Sequence, residues 1–107
     1  MYSFCLNLSK DVEASARERK ASAKSYLYGR IVYRLRTVLG RDASLWFALE
    51  ETEGSERRLH LHGEIACEAT ELRKMRSALR LAGGEWERRA KAFQVRLETR
   101  PDAGAVT

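Results

Sequence analysis

A chain of 107 residues, 44% hydrophobic, with 20 Lys and Arg against 15 Asp and Glu for a formal charge of +5, has room for one folded domain with one modest core. No stretch approaches the roughly eighteen uninterrupted apolar residues of a membrane helix, and the N-terminus lacks the basic-then-apolar order of a secretory signal, so a cytoplasmic protein with no membrane partner is expected. Cys5 and Cys67 are too few for a disulfide scaffold and form no Cys-x-x-Cys pair; both read as buried free thiols. The mild basic excess favours polyanionic partners.

Tyr2 to Leu8 alternates, with Tyr2, Phe4, Leu6 and Leu8 on one side, and predicts a half-buried strand. Asp11 opens a single long helix from Val12 to Leu39, in which Ala23, Leu27, Ile31, Leu35 and Leu39 recur at helical spacing before Gly40 stops it. Ser44 to Glu51 is a second strand, with Leu45, Phe47 and Leu49 facing one way and Trp46, Ala48 and Glu50 the other. The polar turn Thr52-Glu53-Gly54-Ser55-Glu56 leads into a third strand, about Arg58 to Cys67. Thr70 is placed to cap a second helix through about Leu81, with Leu72, Met75 and Leu79 as its core stripe and Gly83-Gly84 as its end. Phe93 to Leu97 is the last strand, Trp86 reads as a core plug before it, and Arg100 to Thr107 reads as a turn without a further element.

The order strand, helix, strand, strand, helix, strand predicts an α+β domain of the split βαβ, ferredoxin-like arrangement: a four-stranded antiparallel sheet with two helices on one face and the first and third strands central. The apolar sides of the strands, Phe4, Leu6, Phe47, Leu49, Leu59, Leu61, Phe93, Val95 and Leu97, then meet the helices. The uncovered face receives Asn7, Glu50, His60, His62, Glu64, Gln94 and Arg96.

His60 and His62 are the only histidines in the chain and are one residue apart in the third strand. Alternation therefore brings both imidazoles out on the open face while Leu59 and Leu61 turn inward. The hairpin partner strand supplies a carboxylate on the same side, Glu50, or Glu51 if a bulge shifts the register by one. Two imidazoles and a carboxylate with positions left for water or phosphate oxygens suit a divalent ion such as Mn²⁺ or Mg²⁺.

The run Leu45-Trp46-Phe47-Ala48-Leu49-Glu50-Glu51, a short turn, and Arg58-Leu59-His60-Leu61-His62-Gly63-Glu64-Ile65 resembles the second motif of HUH endonucleases, most of all the rolling-circle replication initiators. Phe4-Cys5-Leu6-Asn7 is similar to their first motif, Phe-Thr-Leu-Asn, with Cys5 where Thr is usual. The resemblance implies a metal-dependent nickase acting on single-stranded DNA at an origin or hairpin, with His60, His62 and Glu50 as ligands and Asn7 near the DNA. It further implies a tyrosine that attacks phosphorus, leaving a 5′-phosphotyrosine link and a free 3′-hydroxyl. A host helicase is a further candidate partner.

The family's third motif, Tyr-x-x-Lys, has no counterpart, because no tyrosine follows Tyr33. The expectation is an HUH-type nuclease domain over residues 1–107, cut before its catalytic helix, with its nucleophile outside these residues. Tyr26, Tyr28 and Tyr33 offer a relaxase-like alternative, although relaxases typically use three histidines. Among basic residues, Arg57, Arg58 and Arg96 are expected nearest the open face as phosphate contacts, and Trp46 is placed to stack on an unpaired base. Arg17, Arg19, Lys20, Lys24, Arg73, Lys74, Arg76 and Arg80 read as solvated helix faces. The competing expectation is a non-catalytic ferredoxin-like module that binds nucleic acid or a protein partner through its sheet.

Overall fold

In the computed structural model, residues 1–51, 58–84 and 95–99 are described. The turn at 52–56, Arg57, Trp86, Phe93, Gln94 and the segment 100–107 lie outside them. The strands are β1 (Tyr2–Asn7), β2 (Leu45–Glu51), β3 (Leu59–Ile65) and β4 (Val95–Thr99); the helices are α1 (Lys10–Glu18), α2 (Ala23–Leu39) and α3 (Leu72–Gly83). The sheet is antiparallel in the order β2-β3-β1-β4, so β1 and β3 are central. This is the expected α+β, ferredoxin-like arrangement.

The expected single long helix is instead two. A continuous helix from Val12 to Leu39 would span about 42 Å at 1.5 Å per residue, whereas strands of six or seven residues span roughly 20 to 23 Å. Breaking the helix keeps both Val12 and Ala16 of α1 and Ala23, Leu27, Ile31 and Leu35 of α2 buried over the same sheet. The corner is a short 3₁₀ segment at Lys20–Ser22, with Lys20 at φ 47°. An L-residue pays on the order of 1–2 kcal/mol for that conformation. The corner is fastened by the Ser22 hydroxyl donating to the Arg19 carbonyl at 2.9 Å, and by the Arg19 guanidinium 4.0 Å above the Tyr26 ring.

The caps also differ from expectation. Ser9, not Asp11, begins α1: its hydroxyl oxygen accepts from the Val12 amide at 3.2 Å. Before α3, a 3₁₀ turn at Ala69–Glu71 is held by a capping box between Glu68 and Glu71, which displaces Thr70 from the capping role. Gly40 ends α2 at φ 73°, as its position predicts.

The helices cover one face of the sheet. Leu6, Leu61 and Ile65 from the central strands, Leu27, Ile31 and Leu35 from α2, and Met75 and Leu79 from α3 are fully buried in one cluster. Burial of each such side chain is worth about 1.5–3 kcal/mol. Phe4, Phe47, Leu59 and Val95 join them, whereas Leu49 and Leu97 are half-buried at the margin. Gly63 sits between Phe4 and Phe47 in the register, and a Cβ there would strike the Trp46 carbonyl oxygen and lie 2.8 Å from Phe47 Cβ. The glycine in the histidine strand is thus demanded by the close approach of β2. α2 and α3 are locked together by Arg30, whose Nε donates to the Ala82 carbonyl at the end of α3 at 2.7 Å. Arg76 is likewise no free helix-face cation: its Nη1 donates to the Val95 carbonyl at 3.0 Å and ties α3 to β4.

Candidate metal centre

The register sorts the open-face residues of β1, β2 and β3 into rows. Asn7, His60 and Glu50 lie side by side on β1, β3 and β2; Cys5, His62 and Ala48 form the next row, continued by Arg96 on β4; Ser3, Glu64 and Trp46 form the third. His60 and His62, two residues apart, bring their rings together edge to face, with centroids 4.8 Å apart. Ala48, opposite His62, is too small to fill the space beside it. The Glu50 carboxylate leans into that space, placing Oε2 at 3.3 Å from His60 Nε2 and 3.5 Å from His62 Nε2.

These separations suit a shared cation better than a direct bond. A charge-assisted N–H···O bond is about 2.7–2.9 Å long, and neither imidazole is that close. Donors held about 2.1 Å from one cation are themselves about 3.0 Å apart at octahedral right angles and about 3.4 Å apart at tetrahedral angles. The three ligand atoms lie within 4.8 Å of one another, the only such group of three metal-ligating residues among the described residues. The donor set therefore fits a divalent ion. The His60 side chain is only 12% exposed, against 49% for His62 and 52% for Glu50, so open coordination positions lie on the solvent side, over His62 and Glu50. Nδ1 of His60 is buried with no hydrogen-bond partner.

The hairpin carrying these ligands is braced from α1 by Glu13 and by Arg17, which sequence patterning assigns to a solvated helix face. Glu13 Oε1 accepts from the Leu59 amide at 2.8 Å and from Arg58 Nε at 2.8 Å, which anchors β3 one residue before His60. Arg17 donates to Glu51 at 2.6 Å and to Glu13 at 3.3 Å, which anchors β2 one residue after Glu50. Burial alone would raise the Glu13 carboxyl. The hydrogen bonds from Arg58, the Leu59 amide and Arg17 outweigh it and hold Glu13 below the usual glutamate range. The i, i+4 spacing of Glu13 and Arg17 was the available signal, but it reads equally as a local helix pair.

The same contacts decide between the two candidate carboxylates. No bulge interrupts the β2–β3 register: Glu50 faces His60, while Glu51 faces Leu59 and reaches Arg17. Glu50 is the third ligand candidate. Arg58 is engaged by Glu13 and by the Leu8 carbonyl at 2.8 Å, so its guanidinium works as a brace.

Of the other expected site residues, Asn7 is directly beside His60 on β1, and Trp46 and Arg96 are exposed on the histidine face. Cys5 and Cys67 are free but half-buried, not buried as expected. Burial pushes the Cys5 thiol up, with Arg96 drawing it down and Glu50 adding to the rise, so it stands beside the triad as a neutral group. Tyr26, Tyr28 and Tyr33 all belong to α2, in the helical layer behind the sheet. Tyr28 stacks toward Phe47, a core-face residue, at 6.2 Å between centroids. None of these three tyrosines shares the histidine face.

Comparison with protein-family models, curated proteins and solved structures finds no match to this chain.

Proposed function

We propose that this domain binds a divalent cation, Mn²⁺ or Mg²⁺, through His60, His62 and Glu50, and uses it to grip single-stranded DNA as an HUH-type rolling-circle replication initiator does. The observation that carries the reading is the Glu50 oxygen poised at 3.3 and 3.5 Å between two imidazoles on a solvent-facing sheet. A bound cation supplies Lewis acidity toward a phosphodiester oxygen. The chain's own residues supply the rest: Asn7 hydrogen-bonds the strand beside His60, Trp46 stacks on an unpaired base, and Arg96 brings positive charge to the backbone. In this reading, strand cleavage with formation of a phosphotyrosine needs a tyrosine other than those of α2, which lie in the layer behind the sheet. The DNA partner is a replication origin or hairpin, and a host helicase is the further proposed partner. The setting is proposed to be cytoplasmic; no described helix is long and apolar enough to cross a membrane.

The test is a titration of the 107-residue chain with Mn²⁺, Mg²⁺ and Zn²⁺ by calorimetry, paired with anisotropy of labelled single- and double-stranded oligonucleotides. Stoichiometric Mn²⁺ binding that is lost in His60→Ala, together with single-strand binding strengthened by the metal, is expected. Absence of metal binding, or metal binding indifferent to His60 and His62, overturns the reading and leaves a metal-free interaction module. An SDS-resistant protein–oligonucleotide conjugate that forms with this chain and is lost on substituting Tyr26, Tyr28 and Tyr33 by Phe would overturn the claim about the tyrosines of α2.

A further inference from the structure

The basic excess of this chain is concentrated behind the sheet. α2 and α3 each carry four basic side chains and no acidic one. The whole chain has 20 basic against 15 acidic side chains, so everything outside those two helices, 20 less these eight, holds 12 against 15 and is net acidic. Among the described residues, Arg36 is the one member of the eight in an ion pair, with Asp42. Arg30 and Arg76 donate to main-chain carbonyls, which leaves their charge uncancelled. Lys24 and Arg34 lie 5.6 and 5.4 Å from the rings of Phe47 and Tyr33, contacts that also keep the charge. Arg73 and Lys74 are exposed; Lys74 lends charge to Glu71, whose carboxylate is taken by Arg41. A merely solvated helix face interleaves acids with its bases at i, i+4. A layer of like charges repels itself unless an external anion meets it.

The two helices run antiparallel and side by side: Arg30, in the middle of α2, meets Ala82 near the end of α3, and Arg41, just after α2, pairs with Glu71, just before α3. Packed helices have axes about 8–10 Å apart, between the widths of the minor groove, about 6 Å, and the major groove, about 12 Å, of a DNA duplex. Cations from two neighbouring helices can therefore meet phosphates on both borders of one groove, where a single strand offers one row. The 17 residues of α2 run about 25 Å at 1.5 Å each, or about seven base pairs at 3.4 Å per step. Both helices supply cations and donors but no carboxylate, which suits the backbone and not the donors of base edges. An anionic membrane shares the phosphate chemistry, but the large aromatic or aliphatic side chains that α2 and α3 expose, Tyr28 and Tyr33, include no Leu, Phe or Trp to enter it.

We infer that the α2–α3 layer is a second nucleic-acid surface, which takes the phosphate backbone of a DNA duplex without regard to sequence while the histidine face takes single strand. The inference rests on the nucleic-acid part of the reading above and not on its metal. It places duplex, such as the stem of a hairpin, on the opposite side of the sheet from the triad, so both surfaces can be filled at once.

The experiment measures anisotropy of a short labelled duplex of mixed sequence with the 107-residue chain, in EDTA, over a series of KCl concentrations. Binding is expected in the parent and in His60→Ala alike, and equally to a duplex of shuffled sequence. Two double variants, Lys24→Gln with Arg34→Gln on α2 and Arg73→Gln with Lys74→Gln on α3, each remove two cations. Each should lower the slope of log K against log salt by about two, at roughly 0.9 per phosphate contact, while Mn²⁺ uptake and the urea midpoint stay as in the parent. No duplex binding at low salt, a slope unchanged in both double variants, mole-for-mole displacement of the duplex by oligothymidylate, or uptake on phosphatidylserine vesicles in place of duplex overturns the surface. Duplex held by a chain that takes up neither Mn²⁺ nor oligothymidylate supports it and overturns the reading of the histidine face.

Discussion

The two faces of one strand, β3, separate what holds this molecule together from what it exposes. Leu59, Leu61, Gly63 and Ile65 face the helices and are all buried; His60, His62 and Glu64 alternate with them on the other side and are partly or fully open. The inner face is determined many times over, because each of its side chains touches neighbours from several elements at near-solid packing density. The outer face has no such constraint. His62 and Glu50 are about half exposed and add little to the packing, whereas His60 is largely covered; the convergence of the three within 4.8 Å is not a core contact.

Substitutions across the two faces test this contrast. The largest loss of stability is expected from Leu61→Ala, which removes a completely buried side chain at the centre of the sheet. About 2–5 kcal/mol should disappear in urea unfolding. Next comes the brace: Glu13→Ala removes the acceptor of the Leu59 amide and of Arg58 Nε, while Arg58 keeps the Leu8 carbonyl, and should cost about 1–3 kcal/mol. Because the folded-state pKa of Glu13 is depressed, its contribution is present above the ordinary glutamate range and is lost as pH falls through the lower folded value. Glu13→Gln should therefore flatten the acid limb of a stability–pH profile; an unchanged limb would show that the brace is not carrying charge. The smallest effect on stability belongs to the open face, where His62→Ala should stay within about 0.5 kcal/mol of the parent.

Metal inverts that ranking. Saturating Mn²⁺, at about a hundred times its dissociation constant, should stabilise the parent by about 2.7 kcal/mol in the same unfolding assay. That gain should vanish in His60→Ala, His62→Ala and Glu50→Gln and persist in Glu51→Gln, whose carboxylate is committed to Arg17 at 2.6 Å. Equal gains in Glu50→Gln and Glu51→Gln would break the assignment of the third ligand. The brace offers a finer comparison, since Glu13→Gln should weaken Mn²⁺ binding by loosening the strand start before His60 while leaving all three ligands in place.

Element types and the outward pairing of the histidines were legible in the residues themselves. Period-two alternation in Arg58 to Ile65 has one solution once Leu59, Leu61 and Ile65 must be buried, and the facing of Leu45, Phe47 and Leu49 followed by the same rule. The helix break was not legible. Val12, Ala16, Ala23 and Leu27 keep helical phase across it, and nothing local says that a helix of that length would overrun the sheet. The caps at Ser9 and Glu68 were missed for a related reason: several residues near each helix start carry a suitable side chain, and the backbone path selects among them.

What the sequence determined by itself was periodicity: which side chains share a face, and hence that two imidazoles and an acidic neighbour leave the core together. Only tertiary structure decided which acid. Glu50 and Glu51 are adjacent and chemically identical, and their roles separate because the unbroken register turns one toward His60 and Arg17 of a distant helix captures the other. Alternation is a local property of the extended backbone, whereas register and long-range ion pairs exist only once strands and helices have met.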